Sequence, residues 1–371
     1  MRWSWRIGKL FGIDVAVHAT FLLLLAWVAL SGYFKDNRIE DALWGVGLTL
    51  AVFASVVVHE LGHALTARRF GIGTRDITLL PIGGVARLER MPEQPSHELA
   101  VAAAGPLVSF ALAGVLAAVA QVTAGPVAPA GPFGNLPVVT QLAQINLILA
   151  VFNLLPAFPM DGGRILRAFL AWRGDYVRAT RTAASIGQAI AMGLGLLGLF
   201  SNPLLVLVAM FVWMGAASEA SAVEARALLD GLPVTAAMMT DFHTLSPDDS
   251  LERAARLLLQ GSQVDFPVVD DRGELVGVLT RDRLVGSLKA GGPTSLVGSV
   301  MVPEALSVDA SASLHAVALQ LQATGSRVIA VVDRGRIRGL VTLENLGEVV
   351  ALRRAVPSWR SKSSPAVRPG P

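Results

Sequence analysis

Six apolar stretches in the first 222 residues constrain this chain more than any other feature: about 15–34, 43–67, 97–123, 137–157, 183–200 and 203–222. A helix needs about 20 mainly apolar residues to cross the hydrocarbon layer, and in lipid every backbone polar group must be paired within the protein. The stretches predict a polytopic α-helical membrane domain of about six spans, over residues 1–225. The last two are separated only by Ser201, Asn202 and Pro203, which makes a tight helical hairpin. The N-terminus, with Arg2, Arg6 and Lys9 ahead of an apolar run, has the outline of a signal peptide. Its run from Val15 to Phe34 is longer than an h-region and no small-residue cleavage pattern follows, so it reads as a retained first span.

Lys and Arg collect on cytoplasmic loops. With the N-terminus inside, one side gathers Arg2, Arg6, Lys9, Arg68, Arg69, Arg75, Arg87, Arg90, Arg164, Arg167, Arg173, Arg178 and Arg181, and the other only Lys35 and Arg38. Both termini are expected in the cytoplasm of a multi-pass cell-membrane protein. Basic residues scattered among apolar segments, at a net charge of +3, exclude a nucleic-acid-binding face. The chain has no cysteine, which excludes disulfides, thiolate nucleophiles and Cys-ligated metals. Any metal must be held by His and carboxylate.

After about residue 230 the pattern becomes soluble α/β and repeats itself. MMTDFHTLSPDDSLERAARLLL followed by FPVVDDRGELVGVLTRDRL is matched by VMVPEALSVDASASLHAVALQL followed by IAVVDRGRIRGLVTLENL. Each unit, 233–290 and 296–350, reads as a short strand, an amphipathic helix, two strands around a turn and a helix start. The tail, 356–371, is rich in Pro, Ser and basic residues and is expected to be disordered.

Within the second apolar stretch, His59-Glu60-Leu61-Gly62-His63 fits the HExxH pattern. Residues at i and i+4 share a helix face, so both imidazoles can reach one metal ion with Glu60 beside its open position. Zinc lowers the pKa of a bound water towards neutrality, and Glu60 can accept the proton and pass it to the leaving amine. Five residues can match by chance, but ionisable residues inside a span are costly and generally functional. A catalytic zinc takes three protein ligands. Asp161 is the candidate third, in Asn153-Leu-Leu-Pro156-Ala-Phe-Pro159-Met-Asp161-Gly162-Gly163. Pro156 and Pro159 would break the fourth span, and Gly162 and Gly163 would let the backbone turn to aim the carboxylate. The loop from Thr74 to Arg90, with β-like runs around Pro81, Gly83 and Gly84, predicts a hairpin that dips into the protein interior. His97 and Glu98 read as interfacial residues, not ligands.

HExxH in one span with N-x-x-P-x-x-P-x-D-G in a later one resembles the site-2 protease family of intramembrane metalloproteases. The resemblance covers about residues 12–220, including Gly83-Gly84 and Ala104-Gly105-Pro106. It implies His59, His63 and Asp161 as ligands of one zinc per chain and Glu60 as general base. It further implies that Asn153 helps hold the substrate backbone and that the Pro81-to-Val85 hairpin, with Gly83 and Gly84, receives an unwound substrate segment. The substrate would be a membrane protein, cut in or near its transmembrane segment in regulated proteolysis. His18, in GIDVAVHATFLLLL, resembles the family subgroup with C-terminal repeats. Oxyanion stabilisation or water access competes there with an interfacial His bonded to a neighbouring backbone group.

The C-terminal units resemble tandem CBS domains, which pair with each other and often bind adenine nucleotides such as ATP or AMP. Gly277-Val278-Leu279-Thr280 and Gly339-Leu340-Val341-Thr342 match that family's strand-to-helix turn, which points to Thr280, Asp282 and Thr342 as nucleotide ligands. Arg283 and Asn345 stand where the pattern has a ribose-binding Asp, and Asp282 and Glu344 fall one position early. A structural module for homodimerisation or partner docking is the alternative. For the whole chain, a CBS-gated transporter and an inactive protease scaffold compete with the enzyme. A transporter has no reason to keep HExxH together with a distant Pro-flanked Asp-Gly, and a dead scaffold no reason to keep all four catalytic positions.

Overall fold

The computed structural model describes residues 3–36, 38–92, 94–123, 136–303, 305–356 and 359, so the tail expected to be disordered lies almost wholly outside the described residues. The chain divides into two compact units, Met1–Val223 and Glu224–Pro371.

The first unit opens with a hairpin. Strands β1 (Ser4–Leu10) and β2 (Ile13–His18) pair antiparallel around Phe11 and Gly12, both at positive φ as a two-residue hairpin turn requires. Helices α1 (Ala19–Asp36) and α2 (Ile39–Arg69) follow, then a second hairpin of β3 (Thr74–Leu80) and β4 (Gly83–Leu88). β2 pairs parallel with β3, so the four strands form one sheet in the order β1-β2-β3-β4, with the α1–α2 pair as the crossover that parallel pairing demands. The second hairpin meets its expectation and is registered by a cross-strand pair, in which Arg87 donates to both carboxylate oxygens of Asp76. The first hairpin corrects the reading of 15–34 as one span. Ile13, Val15 and Val17 are buried in alternation and pack with Ile77 and Leu79 on Phe53, Val57, Leu61 and Ala64. That period of two belongs to a strand, and a count of apolar residues conceals it.

Among the described residues, four helices are long and apolar enough to cross a membrane: α2, α3 (Pro95–Val122), α6 (Tyr176–Phe200) and α7 (Pro203–Leu229). The apolar part of α1, Ala19–Phe34, and α4 (Val138–Asn153) are shorter. At 1.5 Å per residue, the 16 residues of α4 reach about 24 Å against a hydrocarbon thickness of about 30 Å. Four long spans therefore stand where about six were expected. α4 stops at Asn153, ahead of Pro156, and an irregular segment leads into α5 (Asp161–Ala171), a short helix that periodicity did not foresee. Leu196, Leu197, Phe200, Leu204, Leu207 and Phe211 on α6 and α7 are exposed, as lipid-facing side chains are.

The second unit contains the two repeats. The first supplies α8 (Leu251–Gln260), β5 (Phe266–Val269), β6 (Leu275–Leu279) and α9 (Arg281–Gly291). The second supplies β7 (Val302–Pro303), β8 (Ser307–Asp309), α10 (Leu314–Thr324), β9 (Val328–Asp333), β10 (Arg336–Thr342) and α11 (Leu343–Ala355). The repeats exchange their leading segments. β7 joins the sheet of the first repeat beside β6, while Met239 bridges to Leu340 in the sheet of the second. Glycine marks both crossings: a Cβ on Gly277 would press on Met301 and Val302, and one on Gly339 on Met238 and Met239. The repeats are thus one folding unit, not two beads.

Candidate active site

α2 carries His59 and His63 on one face, both buried, with their Nε2 atoms 3.1 Å apart. Asp161 begins α5 and brings Oδ2 to 3.2 Å from His59 Nε2 and 3.1 Å from His63 Nε2. Each imidazole is aimed from behind by α3. His63 Nδ1 lies 2.7 Å from the carbonyl oxygen of Val101, and His59 Nδ1 lies 2.9 Å from Ser109 Oγ. A carbonyl can only accept, so Nδ1 of His63 carries its proton there, and Nε2 is the ring nitrogen left to serve as a metal ligand when the imidazole is neutral. Among the described residues, these three are the one group of His and carboxylate side chains able to hold a metal ion, with ligand atoms within 4.8 Å of one another.

Zinc fits this group. Tetrahedral bonds of about 2.0–2.1 Å place ligand atoms about 3.3–3.4 Å apart, close to the distances here. The space for an ion is also kept open: a Cβ on Gly105 of α3 would press against Nε2 and Cε1 of His63 and come within 2.6 Å of His59 Nε2. Gly62 locks the two helices at this level, since a Cβ there would stand 2.9 Å from the Ala104 carbonyl oxygen and from Val108. Glycine at 162 and 163 acts differently from expectation. Both residues are helical, in the first turn of α5, and a Cβ on either would strike backbone at 154–155 or 157–158. They serve close packing of α5 on the preceding segment and not the backbone turn that the sequence suggests.

Glu60, one residue after the first histidine, faces the β3–β4 hairpin. Its Oε2 accepts a hydrogen bond from the Ala86 N–H at 3.1 Å, and Gly84 leaves room for its stem, because a Cβ there would lie 2.8 Å from Glu60 Cγ. A cavity of about 350 Å³ opens on this group, lined by His59, Glu60, His63 and Asp161 together with Gly83, Gly84, Asn153 and Arg164.

The model of peptidase family M50 matches residues 47–130 and 133–194, the segments that hold the two histidines, Glu60, Asn153 and Asp161. A zinc metalloprotease of Methanocaldococcus jannaschii is 39% identical to this chain over 75% of its length and 78% of the relative's own. The chain belongs to peptidase family M50. By that membership it is an enzyme, a zinc metalloprotease. A second relative, Rip3 of Mycobacterium tuberculosis, is 30% identical over 95% of this chain and 94% of its own. The solved structure of a site-2 protease from M. jannaschii is 41% identical, covers 59% of this chain and 95% of that one, and superposes with a TM-score of 0.45. The CBS domain model matches residues 234–290 and 297–351 of this M50 peptidase.

Other residues singled out from the sequence fall elsewhere. His18 does not line the cavity; its Nδ1 lies 2.8 Å from Thr20 Oγ1 and 3.3 Å from the Thr20 backbone nitrogen. His97 stacks on Phe70, with ring centroids 4.0 Å apart, outside the metal group. Glu98 is not interfacial. It is buried and paired with Arg167, which the charge pattern places in a loop and which is itself fully buried in α5. In the CBS pair, Thr280 caps α9, and Thr342 forms a capping box with Asn345, so both hydroxyls already serve a helix end. Asp282 is exposed in the first turn of α9. Asp265 is a buried acid that the sequence did not flag. Its Oδ1 accepts from the Arg281 N–H at 3.0 Å, its Oδ2 has no partner among the described residues, and burial pushes its carboxyl up.

Sequence reasoning also missed Ser109, Val101 and Arg164 at the active site. A signal was present for the first two: Glu98, Val101, Gly105 and Ser109 recur at helical spacing on one face of α3.

Proposed function

We propose that this protease hydrolyses a peptide bond in or near the transmembrane segment of a membrane-protein substrate, with zinc held by His59, His63 and Asp161 and Glu60 as general base. The observation that carries this reading is the convergence of three ligand atoms within 4.8 Å, next to the Glu60 carboxylate and the strand β4 that holds it. Zinc supplies Lewis acidity there, which polarises a carbonyl and acidifies water. Glu60 takes the proton from water and returns it to the leaving nitrogen. The Ala86 N–H holds Oε2 in place, which leaves Oε1 for the transfer. β4 is an outer strand of its sheet, so its far edge offers main-chain groups to an unwound substrate strand alongside Gly83 and Gly84. Asn153, at the end of α4, has an amide suited to the substrate backbone. Arg164 lines the same cavity without an ion-pair partner among the described residues and suits a substrate carbonyl or carboxylate.

In this reading residues 1–225 form the protease, with the short helices α1 and α4 completing six spans by local thinning of the bilayer. Both termini are cytoplasmic, because the excess of Arg on one side persists without Arg164 and Arg167. Zinc content of the detergent-purified chain tests the ligand set. About one zinc per chain is expected in the wild type, lost in Asp161→Ala and in the His59→Ala, His63→Ala double variant. Retention of zinc in both variants refutes the assignment.

The CBS units, 233–290 and 296–350, are proposed to form a homodimer and to take ATP or AMP, with Thr280, Asp282 and Thr342 at the strand-to-helix turns. What supports this is the pair of helix N-termini at those turns and the solvent-facing Asp282 carboxylate. Adding ATP to vesicle-embedded enzyme is expected to change the cleavage rate about twofold or more. A chain lacking 233–371 should give no such response. Equal rates with and without ATP in the full chain remove the regulatory reading.

A further inference from the structure

Arg167 is 0% exposed and donates two charge-assisted hydrogen bonds, one to each of two glutamates. Its Nε donates to Glu98 Oε1 at 2.7 Å, its Nη2 lies 2.5 Å from the same oxygen, and its Nη1 donates to Glu219 Oε1 at 2.5 Å. The guanidinium carbon also lies 5.0 Å from the ring centroids of both Phe158 and Tyr176. Glu98 comes from α3, Arg167 from α5 and Glu219 from α7. Burying the Arg167 and Glu98 charges costs several kcal/mol of desolvation per ion, and apolar side chains of similar volume usually hold helices together as well or better. The arrangement therefore calls for a role besides cohesion.

That role follows from what the three helices carry. Glu98 lies on the same face of α3 as Val101, Gly105 and Ser109: two groups that aim the histidines and the glycine that leaves room for an ion. Arg167 lies six residues, less than two turns, after Asp161 in an 11-residue helix entered from an irregular segment. Apolar packing alone tolerates slip of so short a helix, whereas a guanidinium bonded through Nε to Glu98 of α3 and through Nη1 to Glu219 of α7 is fixed from two helices at once. A slip of about 1 Å in α5 would take Asp161 out of register with both Nε2 atoms.

We propose that the Glu98–Arg167–Glu219 triad is the positioning device that docks α5 on α3 and so holds Asp161 at the histidine pair, setting zinc affinity from outside the ligand set. The proposal rests on the reading of His59, His63 and Asp161 as the zinc ligands. Arg167 and its partners touch neither metal nor substrate; they act through Asp161.

The test uses the full-length, detergent-purified chain and zinc alone as ligand. Zinc affinity is measured by competition with a chromogenic chelator, and thermal unfolding is followed for apo and zinc-loaded protein. Glu98→Gln and Arg167→Met are expected to bind zinc about 10–100-fold more weakly, the loss seen when groups that orient metal ligands are removed. Arg167→Lys keeps the charge but not the planar guanidinium that reaches both glutamates, and should fall in between. Glu219, whose side chain is 30% exposed, should matter least, with Glu219→Gln near wild type in affinity. The rise in Tm on adding zinc should shrink in the same order. A purely cohesive triad gives another pattern: a lower apo Tm with wild-type zinc affinity and an undiminished zinc-induced rise. That pattern in Glu98→Gln and Arg167→Lys overturns the proposal, and these two milder variants carry the test where Arg167→Met does not fold. The His59→Ala, His63→Ala variant separates the two levels. If it keeps zinc, the ligand reading fails; if it loses zinc while the triad variants keep wild-type affinity, only the triad proposal fails.

Discussion

Gly105→Ala is expected to leave a folded protein that holds no zinc and cleaves nothing. The added methyl carbon would sit against Nε2 of both histidines, the atoms that present lone pairs to the ion. Neither helix can retreat, because α2 and α3 already touch at Gly62 against the Ala104 carbonyl. The histidines must swing away and lose the bonds that Ser109 and Val101 make to their Nδ1 atoms. Loss of both orientation and space predicts a fall in zinc affinity of about 100-fold or more. Gly114→Ala on the same helix is the control, since its Cβ meets nothing within 4 Å, and it should keep one zinc per chain. Chelator competition on both variants settles the matter; wild-type zinc affinity in Gly105→Ala contradicts the site geometry.

Glu60→Gln separates binding from chemistry. The amide keeps the size of the side chain and an oxygen that can accept from the Ala86 N–H, and residue 60 is not among the metal-holding group. Zinc content and Tm should therefore match the wild type. The amide cannot accept a proton from water or deliver one to nitrogen, so cleavage should fall by about 10³-fold, within the range for a lost general base. Single-turnover cleavage of a membrane-embedded substrate, with zinc quantified in the same preparation, gives both numbers. Cleavage within tenfold of wild type would transfer the base to another group.

The two predictions differ in how far the sequence alone could have led to them. Glu60 and the two histidines are local: five adjacent residues on one helix place them, and an intramembrane setting gives their charge no other use. Asp161 was within reach because prolines and glycines around it mark a break in an apolar stretch. Gly105 was visible as part of a motif, but its job depends on a second helix passing within contact distance.

The errors share a cause. Residues 15–18 read as part of a span because hydropathy sums over a window and discards alternation; their strand pairing with β3, some 60 residues on, is a non-local fact. Glu98 and Arg167 looked like interfacial and loop charges because a single charged residue at the end of an apolar run is usually wet. Only their partners, 69 residues apart, reveal them as buried.

By itself, then, the sequence determined a membrane-bound domain with an HExxH helix, a distant Asp-Gly and a soluble tandem repeat, since composition and short-range periodicity express the solvent each segment meets. Tertiary structure decided how α3 aims the imidazoles, where Gly105 leaves room, how β4 steadies Glu60 and what holds α5 in place. These depend on contacts between helices and strands far apart in the chain, and no local preference encodes a distance between two elements that meet only after folding.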